Sequence, residues 1–211
     1  MDPLPARDLR SNLGTWAVVT ADLPAVAYAM IGKLPAEDFD PNFQGQHLHT
    51  TYFDTADFDL RKARVNKDAY ITIRVRSYMP SGVYALSAKT ESAKFRVELP
   101  PDVPDAFDID VLSGLLPPDM LARLLAITSK PLVPVVCVHF RRYAVEDNND
   151  RLTLDVGIDT DTGKCYPCHV LEYKSTQLGN DPPGFTGRLR PIKLSKFLWS
   201  TSPCEASIPP L

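Results

Sequence analysis

The sequence predicts a single domain of the α+β class in which strands predominate. Most of its regular segments alternate apolar and polar residues with a period of two, as half-buried strands do. The 20 prolines include four adjacent pairs, which mark turns and breaks between segments. A chain of 211 residues is long enough for one such domain, and we expect it to span residues 1–211.

Two regions carry the helical part of this prediction. Thr20 and Asp22 precede Pro24, and apolar residues then recur at helical spacing, so a capped helix is predicted over 22–34. A second helical region lies between residues 103 and 128 and is interrupted by a pair of prolines. The remaining regular segments are predicted strands.

The predicted strands share a charged face. Strands 70–78, 83–89, 94–99 and 168–174 each separate apolar from polar side chains. The charged residues on their polar sides are Arg74, Arg76, Lys89, Lys94, Arg96, Glu98, Glu172 and Lys174. Strand 135–146 adds Arg141 and Arg142, and strand 151–158 adds Arg151 and Asp155. An antiparallel sheet with one solvated face is enough to produce the alternation by itself. The predominance of arginine and lysine in a chain of net charge −3 favours a cleft that attracts anions.

Composition excludes several classes of protein. A net charge of −3 argues against a general nucleic-acid binder, so the predicted anion site is local and no nucleic-acid partner is expected. No stretch approaches the roughly 20 apolar residues that span a bilayer. The first ten residues lack the basic and apolar regions of a signal peptide, so we expect a cytoplasmic location and no membrane span.

Other candidate sites have simpler interpretations. Four cysteines are too few for a disulfide scaffold, and the pair Cys165 and Cys168 is predicted to lie in a hairpin turn. Asp54 and its two acidic neighbours at 57 and 59 are predicted to be surface loop residues. His47 and His49 share a strand face but have no third ligand nearby in sequence, which favours a structural role over zinc binding.

An ordered set of short motifs resembles a known family. The motifs are HTTYFDT at 49–55, IRVR at 73–76, AKT at 88–90, KFR at 94–96, FRRY at 140–143, LD at 154–155, VLEYK at 170–174 and IKLSKF at 192–197. Their order and spacing, over roughly residues 48–198, resemble the catalytic domain of vacuolar transporter chaperone polyphosphate polymerases. That family belongs to the triphosphate tunnel metalloenzymes, a CYTH-like superfamily.

The resemblance implies a particular fold and activity. The implied fold is a closed eight-stranded antiparallel β-barrel, the triphosphate tunnel, with flanking helices and a C-terminal helix. The implied activity is that of a polyphosphate polymerase, a phosphotransferase that moves the γ-phosphoryl group of ATP onto a growing phosphate chain with Mn²⁺ or Mg²⁺. The implied partners are ATP, triphosphate or polyphosphate.

The resemblance also assigns roles to individual residues. The implied catalytic residues are Arg74, Arg76, Lys89 and Arg142. The implied phosphate-binding residues are Lys94, Lys193, Ser195 and Lys196, with Arg96 and Lys174 as their neighbours. Glu172 is the implied metal ligand. We expect Arg74 and Arg76 to face the lumen, and Lys193 and Lys196 to share one face of a short terminal helix.

These residue types suit phosphoryl transfer. The reaction asks little covalent work of a protein, so catalysis rests on positioning the phosphates and neutralising their charge. Arginine binds phosphate oxygens with two donors at once and stays charged when desolvated. One glutamate suffices for Mg²⁺ or Mn²⁺, because phosphate oxygens and waters complete the octahedron.

The sequence departs from the family pattern at two positions. The paired glutamates and lysine of the first strand are absent, with Gly14 near the place of the lysine. A glutamate expected two residues before Lys89, the lysine that ends strand 83–89, is replaced by Ser87. Three functions therefore stay open: polymerisation from ATP, hydrolysis of tripolyphosphate or a nucleoside triphosphate, and binding of polyphosphate without turnover.

Overall fold

The computed structural model describes residues 11–31, 45–68, 70–79, 81–146, 149–177, 186 and 189–202. Its strands are β1 (Ser11–Val18), β2 (Gln46–Asp54), β3 (Thr72–Met79), β4 (Val83–Lys89), β5 (Lys94–Leu99), β6 (Val133–Glu146), β7 (Asp150–Thr160), β8 (His169–Ser175) and β9 (Arg190–Pro191). Its α-helices are α1 (Leu23–Ile31), α2 (Asp59–Val65), α3 (Ile109–Leu115), α4 (Pro118–Leu125) and α5 (Lys196–Thr201). None of the helices in these ranges is long and apolar enough to cross a bilayer.

The strands form one antiparallel sheet, which confirms the predominantly β architecture. Their order is β5-β4-β3-β2-β6-β7-β8-β1-β9, so β5 and β9 are the two edges. The predicted closed barrel of eight strands is therefore wrong, because the described sheet has nine strands and is open. The outer edge of β1 pairs only with the two described residues of β9, one of which is Pro191, a residue with no N–H to donate.

The sheet is nevertheless strongly curled. The ammonium of Lys89 on β4 lies close enough to Lys174 and Glu172 on β8 for both to affect its pKa. These strands are five positions apart in the sheet, about 24 Å if it were flat. The curl therefore brings them towards each other. We call the concave side, which carries Arg74 and Arg76, the inner face.

Helices cover the opposite, outer face. α3 and α4 pack on β2, β3 and β4, where Phe53, Ile73 and Leu86 meet Leu112 and Leu124. α1 packs over β1, β7 and β8 in a second cluster. Both helical predictions are confirmed in position: a short 3₁₀ turn over Thr20–Asp22 leads into α1, and the predicted break separates α3 from α4. Residues 32–34 of the first prediction lie outside the described ranges.

Helix α2 was not predicted from the sequence. Phe58 precedes it in the left-handed region at φ 59°, and the buried carboxylate of Asp54 holds its first turn. Asp54 Oδ1 accepts from the backbone N–H of Leu60 at 2.8 Å, and Oδ2 accepts from that of Arg61 at 2.9 Å. The interpretation of Asp54 as a surface loop residue is therefore wrong. Its carboxylate accepts hydrogen bonds from backbone N–H groups in the first turn of α2, which have no partner within the helix.

Helix α5 packs against the inner face. Phe197 and Trp199 are buried there against Tyr52 and Phe140 from β2 and β6. The ring centroids of Phe197 and Tyr52 are 5.3 Å apart. The predicted C-terminal helix is confirmed, and the structure shows that it fills part of the concave side. It begins at Lys196, however, so the prediction that Lys193 lies on this helix is wrong.

Candidate functional site

The strand register brings most of the predicted site residues onto the inner face. Residues paired across antiparallel strands share one face of a sheet. The pairs that define this face are Arg74 with Ser87, Ser87 with Arg96, Thr72 with Lys89, Lys89 with Lys94, Arg142 with Asp155, Arg151 with Lys174 and Thr153 with Glu172. Arg76 lies on the same side as Arg74, two residues along β3. The expected side of β3 is confirmed for Arg74 and Arg76, but the closed lumen that they were expected to face is wrong.

Arg76 is partly buried without a carboxylate partner. Its Nε donates to Thr50 Oγ1 at 3.2 Å, and its guanidinium carbon lies 5.9 Å from the ring centroid of Phe140. Neither Arg74 nor Arg76 forms an ion pair with any carboxylate in the described part of the chain. Burial, followed by the charges of Arg74 and Arg142, lowers the pKa of Arg76 to about 9. The fold therefore holds uncompensated positive charge here.

Neighbouring groups show the same excess of cations. Arg96 lies over the ring of Tyr78 with 4.8 Å between its guanidinium carbon and the ring centroid. Burial acts to raise the pKa of the Tyr78 hydroxyl, but the charges of Arg76 and Arg96 lower it below its ordinary value. Loss of hydration and the nearby Arg74 lower the pKa of Lys89. An anion placed among these groups would relieve their mutual repulsion.

Asp155 is a central residue of the site to which the sequence assigned no role. Its Oδ1 accepts from Arg142 Nε at 2.6 Å, and its Oδ2 accepts from Arg142 Nη2 and from Lys196 Nζ, both at 2.7 Å. Its side chain is only 3% exposed. Burial opposes ionisation, yet Arg142 and Lys196 hold the pKa of Asp155 far below its usual range.

The carboxylate of Asp155 also determines what Arg142 can do. Burial acts to lower the pKa of Arg142, but Asp155 raises it above its ordinary value. Two donors of the Arg142 guanidinium are engaged in the pair, so it has less capacity for phosphate oxygens than Arg74 and Arg76. The same carboxylate fixes Lys196 at the first turn of α5 and thereby ties this helix to β7.

Glu172, the predicted metal ligand, faces the same side. Its Oε1 accepts from Asn12 Nδ2 at 3.1 Å and lies 3.7 Å from Lys174 Nζ. Its side chain is 27% exposed. Burial acts to raise the pKa of Glu172, but Lys174, Arg142 and Lys196 lower it, so the carboxylate stays ionised. Glu172 therefore already forms an ion pair with Lys174, and this pair would compete with metal binding.

The residues on the inner face fit a divalent metal that takes most of its ligands from phosphate. No group of three His, Cys, Asp or Glu side chains within the described ranges is arranged to hold an ion. Of the two carboxylates near Arg142, Asp155 is committed to its two cations, which leaves Glu172 able to serve. A hard ion such as Mg²⁺ accepts one protein carboxylate when phosphate and water supply the rest.

The remaining predicted residues lie on β5 or immediately before α5. Lys94 and Arg96 are exposed on the edge strand β5, at the rim of the inner face. Lys193 is exposed and precedes α5. Ser195 is the N-cap residue of α5, where its Oγ accepts from the backbone N–H of Leu198 at 3.3 Å. The Ser195 hydroxyl therefore has a structural partner already.

Arg64 is a basic residue of the site that sequence reasoning missed. Its Nη1 donates to Thr72 Oγ1 at 2.8 Å, and Thr72 is the register partner of Lys89. Its charge contributes to the lowered pKa of Lys89. Because α2 was not predicted, no pattern in the sequence placed Arg64 beside the first residue of β3.

The structure shows where both departures from the family pattern lie. The β1–β8 register shifts between Asn12 and Gly14, and Gly14 then pairs with Tyr173 on the outer side. A Cβ at Gly14 would overlap the indole ring of Trp16, so a lysine there would displace that ring. Ser87 is buried on the inner face between Arg74 and Arg96.

Solved structures share this architecture. No family model matches the chain, and no curated protein matches its sequence. A candidate adenylate cyclase from Vibrio parahaemolyticus aligns with 90% of the chain and 97% of its own length, at 14% identity and a TM-score of 0.52. A candidate adenylate cyclase from Bacillus halodurans aligns with 77% of the chain and 79% of its own length, at 16% identity and a TM-score of 0.51.

These similarities define a class of fold. At such identities they show the fold alone, which the chain shares with both of these proteins. Membership of the vacuolar polymerase family stays a prediction.

Proposed function

We propose that the inner face binds the triphosphate chain of inorganic tripolyphosphate or a nucleoside triphosphate, and that the protein hydrolyses it with a divalent metal. The observation that carries the proposal is the pair Arg74 and Arg76, which lie two residues apart on β3 without a carboxylate partner in the described residues. Unpaired arginines inside a concave surface are costly unless an anion joins them.

The distribution of charge supports this proposal. On β3, β4 and β5 the inner face carries five cations, Arg74, Arg76, Lys89, Lys94 and Arg96, against one carboxylate, Glu98. On β6, β7 and β8 the cations Arg142 and Lys174 have carboxylates beside them. In a chain of net charge −3, this asymmetry concentrates positive potential on one half of the concave surface. A chain of phosphates has the matching charge.

Each half of the inner face has its own role. Arg74, Arg76 and Lys89 bind and orient phosphate oxygens, and they stabilise charge that develops on the transferred phosphoryl group. Glu172 on the facing strand would hold Mg²⁺ or Mn²⁺, which would supply positive charge to neutralise the phosphates. Asp155 keeps Arg142 and Lys196 in place beside this carboxylate.

The similar structures support a nucleoside triphosphate as one substrate. Both are named as candidate adenylate cyclases, a class that acts on ATP. They give no support to polymerisation, which stays a prediction from the sequence motifs. Water is the simpler acceptor, because it needs no second binding site.

Product analysis tests the proposed function. The protein is incubated with tripolyphosphate or ATP and Mn²⁺, and free phosphate, long-chain polyphosphate and cyclic AMP are measured separately. We expect free phosphate without polymer. Long-chain polyphosphate would support the polymerase prediction instead, and saturable binding without any product would show a polyphosphate-binding protein.

Replacing Glu172 tests the metal site. Glu172→Gln is expected to abolish metal-dependent turnover while binding of tripolyphosphate in EDTA is kept or improved, because the cations remain and a repelling negative charge is removed. Glu98→Gln is the matched control, since Glu98 is an exposed carboxylate on the same face of β5. Near wild-type turnover of Glu172→Gln, with a change in unfolding midpoint alone, would make Glu172 only the ion-pair partner of Lys174.

A further inference from the structure

Three of the four histidines lie together on the outer face, away from the phosphate site. His47 and His49 are on β2, and His139 is on β6. His49 and His139 are direct register partners, and their ring centroids are 4.6 Å apart in an edge-to-face arrangement. The third ligand candidate that the sequence could not supply near His47 and His49 comes from a strand 90 residues further along.

The surroundings of this pair favour a cation. Asp159 on β7 is the register partner of His139 on its other side, and Asp161 follows at the end of the strand, where its Oδ1 accepts from the backbone N–H of Cys137. The neighbouring cation is Arg141, whose Nε donates to His47 Nε2 at 3.1 Å. That bond occupies one nitrogen of His47 and directs the guanidinium towards it.

Two of these side chains can reach one metal ion, but three cannot. Direct cross-strand partners have Cβ atoms about 4.5–5.5 Å apart, a separation from which two imidazoles can reach one ion. His49, His139 and Asp159 lie in a row on successive strands about 4.8 Å apart, so Asp159 and His49 cannot meet at the same point. Accordingly, the described residues contain no group of three ligands around a common centre.

We propose that His49 and His139 form a two-nitrogen site for a borderline divalent cation such as Ni²⁺, Cu²⁺ or Zn²⁺, with water completing its coordination. Neutral imidazole is a preferred ligand of these ions, whereas the oxygen ligands of the inner face suit Mg²⁺ or Mn²⁺. Asp159 beside His139 is the positioning carboxylate that commonly accepts from the second nitrogen of a metal-bound histidine. His49 is exposed and His139 partly exposed, so an ion can enter from solvent.

A titration of the full chain with Ni²⁺ tests this site directly. The ring proton signals of the histidines are followed by NMR, because a paramagnetic ion broadens the signals of the residues that bind it. We expect broadening of His49 and His139 at the lowest Ni²⁺ concentrations while the signals of His169, on β8, persist. His49→Gln and His139→Gln are each expected to remove saturable binding, and the matched control His169→Gln to retain it.

Two further variants test the role of Asp159 and the separation of this site from the inner face. Asp159→Asn is expected to weaken Ni²⁺ binding by about tenfold, as loss of a positioning carboxylate does. Glu172→Gln is expected to leave Ni²⁺ binding unchanged, because it lies on the opposite face. Unchanged Ni²⁺ affinity in both His49→Gln and His139→Gln, with unfolding midpoints like wild type, would overturn the proposal. So would loss of binding in Glu172→Gln alone.

Discussion

Replacing Arg76 by methionine is expected to lower kcat/KM for tripolyphosphate by about two to three orders of magnitude, the usual effect of removing one donor that stabilises transition-state charge. Methionine keeps an unbranched apolar side chain beside Phe140 and removes the guanidinium. Because burial and neighbouring cations disfavour the charged form of Arg76, its loss should leave the free energy of unfolding without ligand unchanged or raised. Steady-state kinetics and urea unfolding measure the two effects.

The matched control is Arg141→Met. Arg141 is an exposed arginine on the outer side of the same sheet, and its side chain contacts His47 rather than the inner face. We expect kcat/KM close to wild type for this variant. An Arg76→Met protein with wild-type kcat/KM, or one that loses stability as well as activity, would mean that Arg76 serves the fold instead of the substrate.

Asp155→Asn is expected to have the opposite signature, a large loss of stability. It removes the buried carboxylate that Arg142 and Lys196, both largely buried, share, and breaking such a pair typically costs about 3–5 kcal/mol. Urea unfolding at pH 7 measures the change. Asp57→Asn is the control, since Asp57 also pairs with a lysine but its side chain is 61% exposed, where an ion pair contributes about 0–1 kcal/mol. Equal effects of the two substitutions would contradict the central role of Asp155.

The stabilising effect of Asp155 should also depend on pH. Its folded-state pKa is depressed below the value of about 3.9 for an unfolded chain, so its contribution is complete above about pH 5. As pH falls through 4 towards the folded-state pKa, the unfolded chain takes up the proton first and this contribution is lost. The difference in unfolding free energy between wild type and Asp155→Asn should therefore shrink between pH 5 and pH 3. A difference that stays constant would show that the carboxylate charge is not the cause.

Much of the candidate site could be predicted from the sequence because side-chain direction is a local property of a strand. Alternation alone indicates that Arg74 and Arg76 oppose Ile73 and Val75, and the structure confirms it. Which residues face each other across two strands, in contrast, is not a local property of either strand. The β6–β7 pairing shifts between His139 and Arg141, and this irregularity decides that Arg142 meets Asp155.

The sequence could not predict that the described sheet is open, or that helix α2 forms. Closure depends on which strands meet at the two edges, and only the two described residues of β9 pair along the outer edge of β1. The seven-residue α2 is too short for a periodic signal, and the buried Asp54 determines where it begins. The contact between His49 and His139 is likewise set by strand order.

The proposed function depends on Arg74 and Arg76 of the inner face binding a chain of phosphates. Calorimetric titration with tripolyphosphate in EDTA measures this binding, with wild type compared with the double variant Arg74→Met and Arg76→Met. We expect saturable binding of one tripolyphosphate by wild type, tighter than that of orthophosphate, weaker at higher salt, and lost in the double variant. A folded double variant that binds tripolyphosphate as tightly as wild type would show that these arginines do not form the phosphate site.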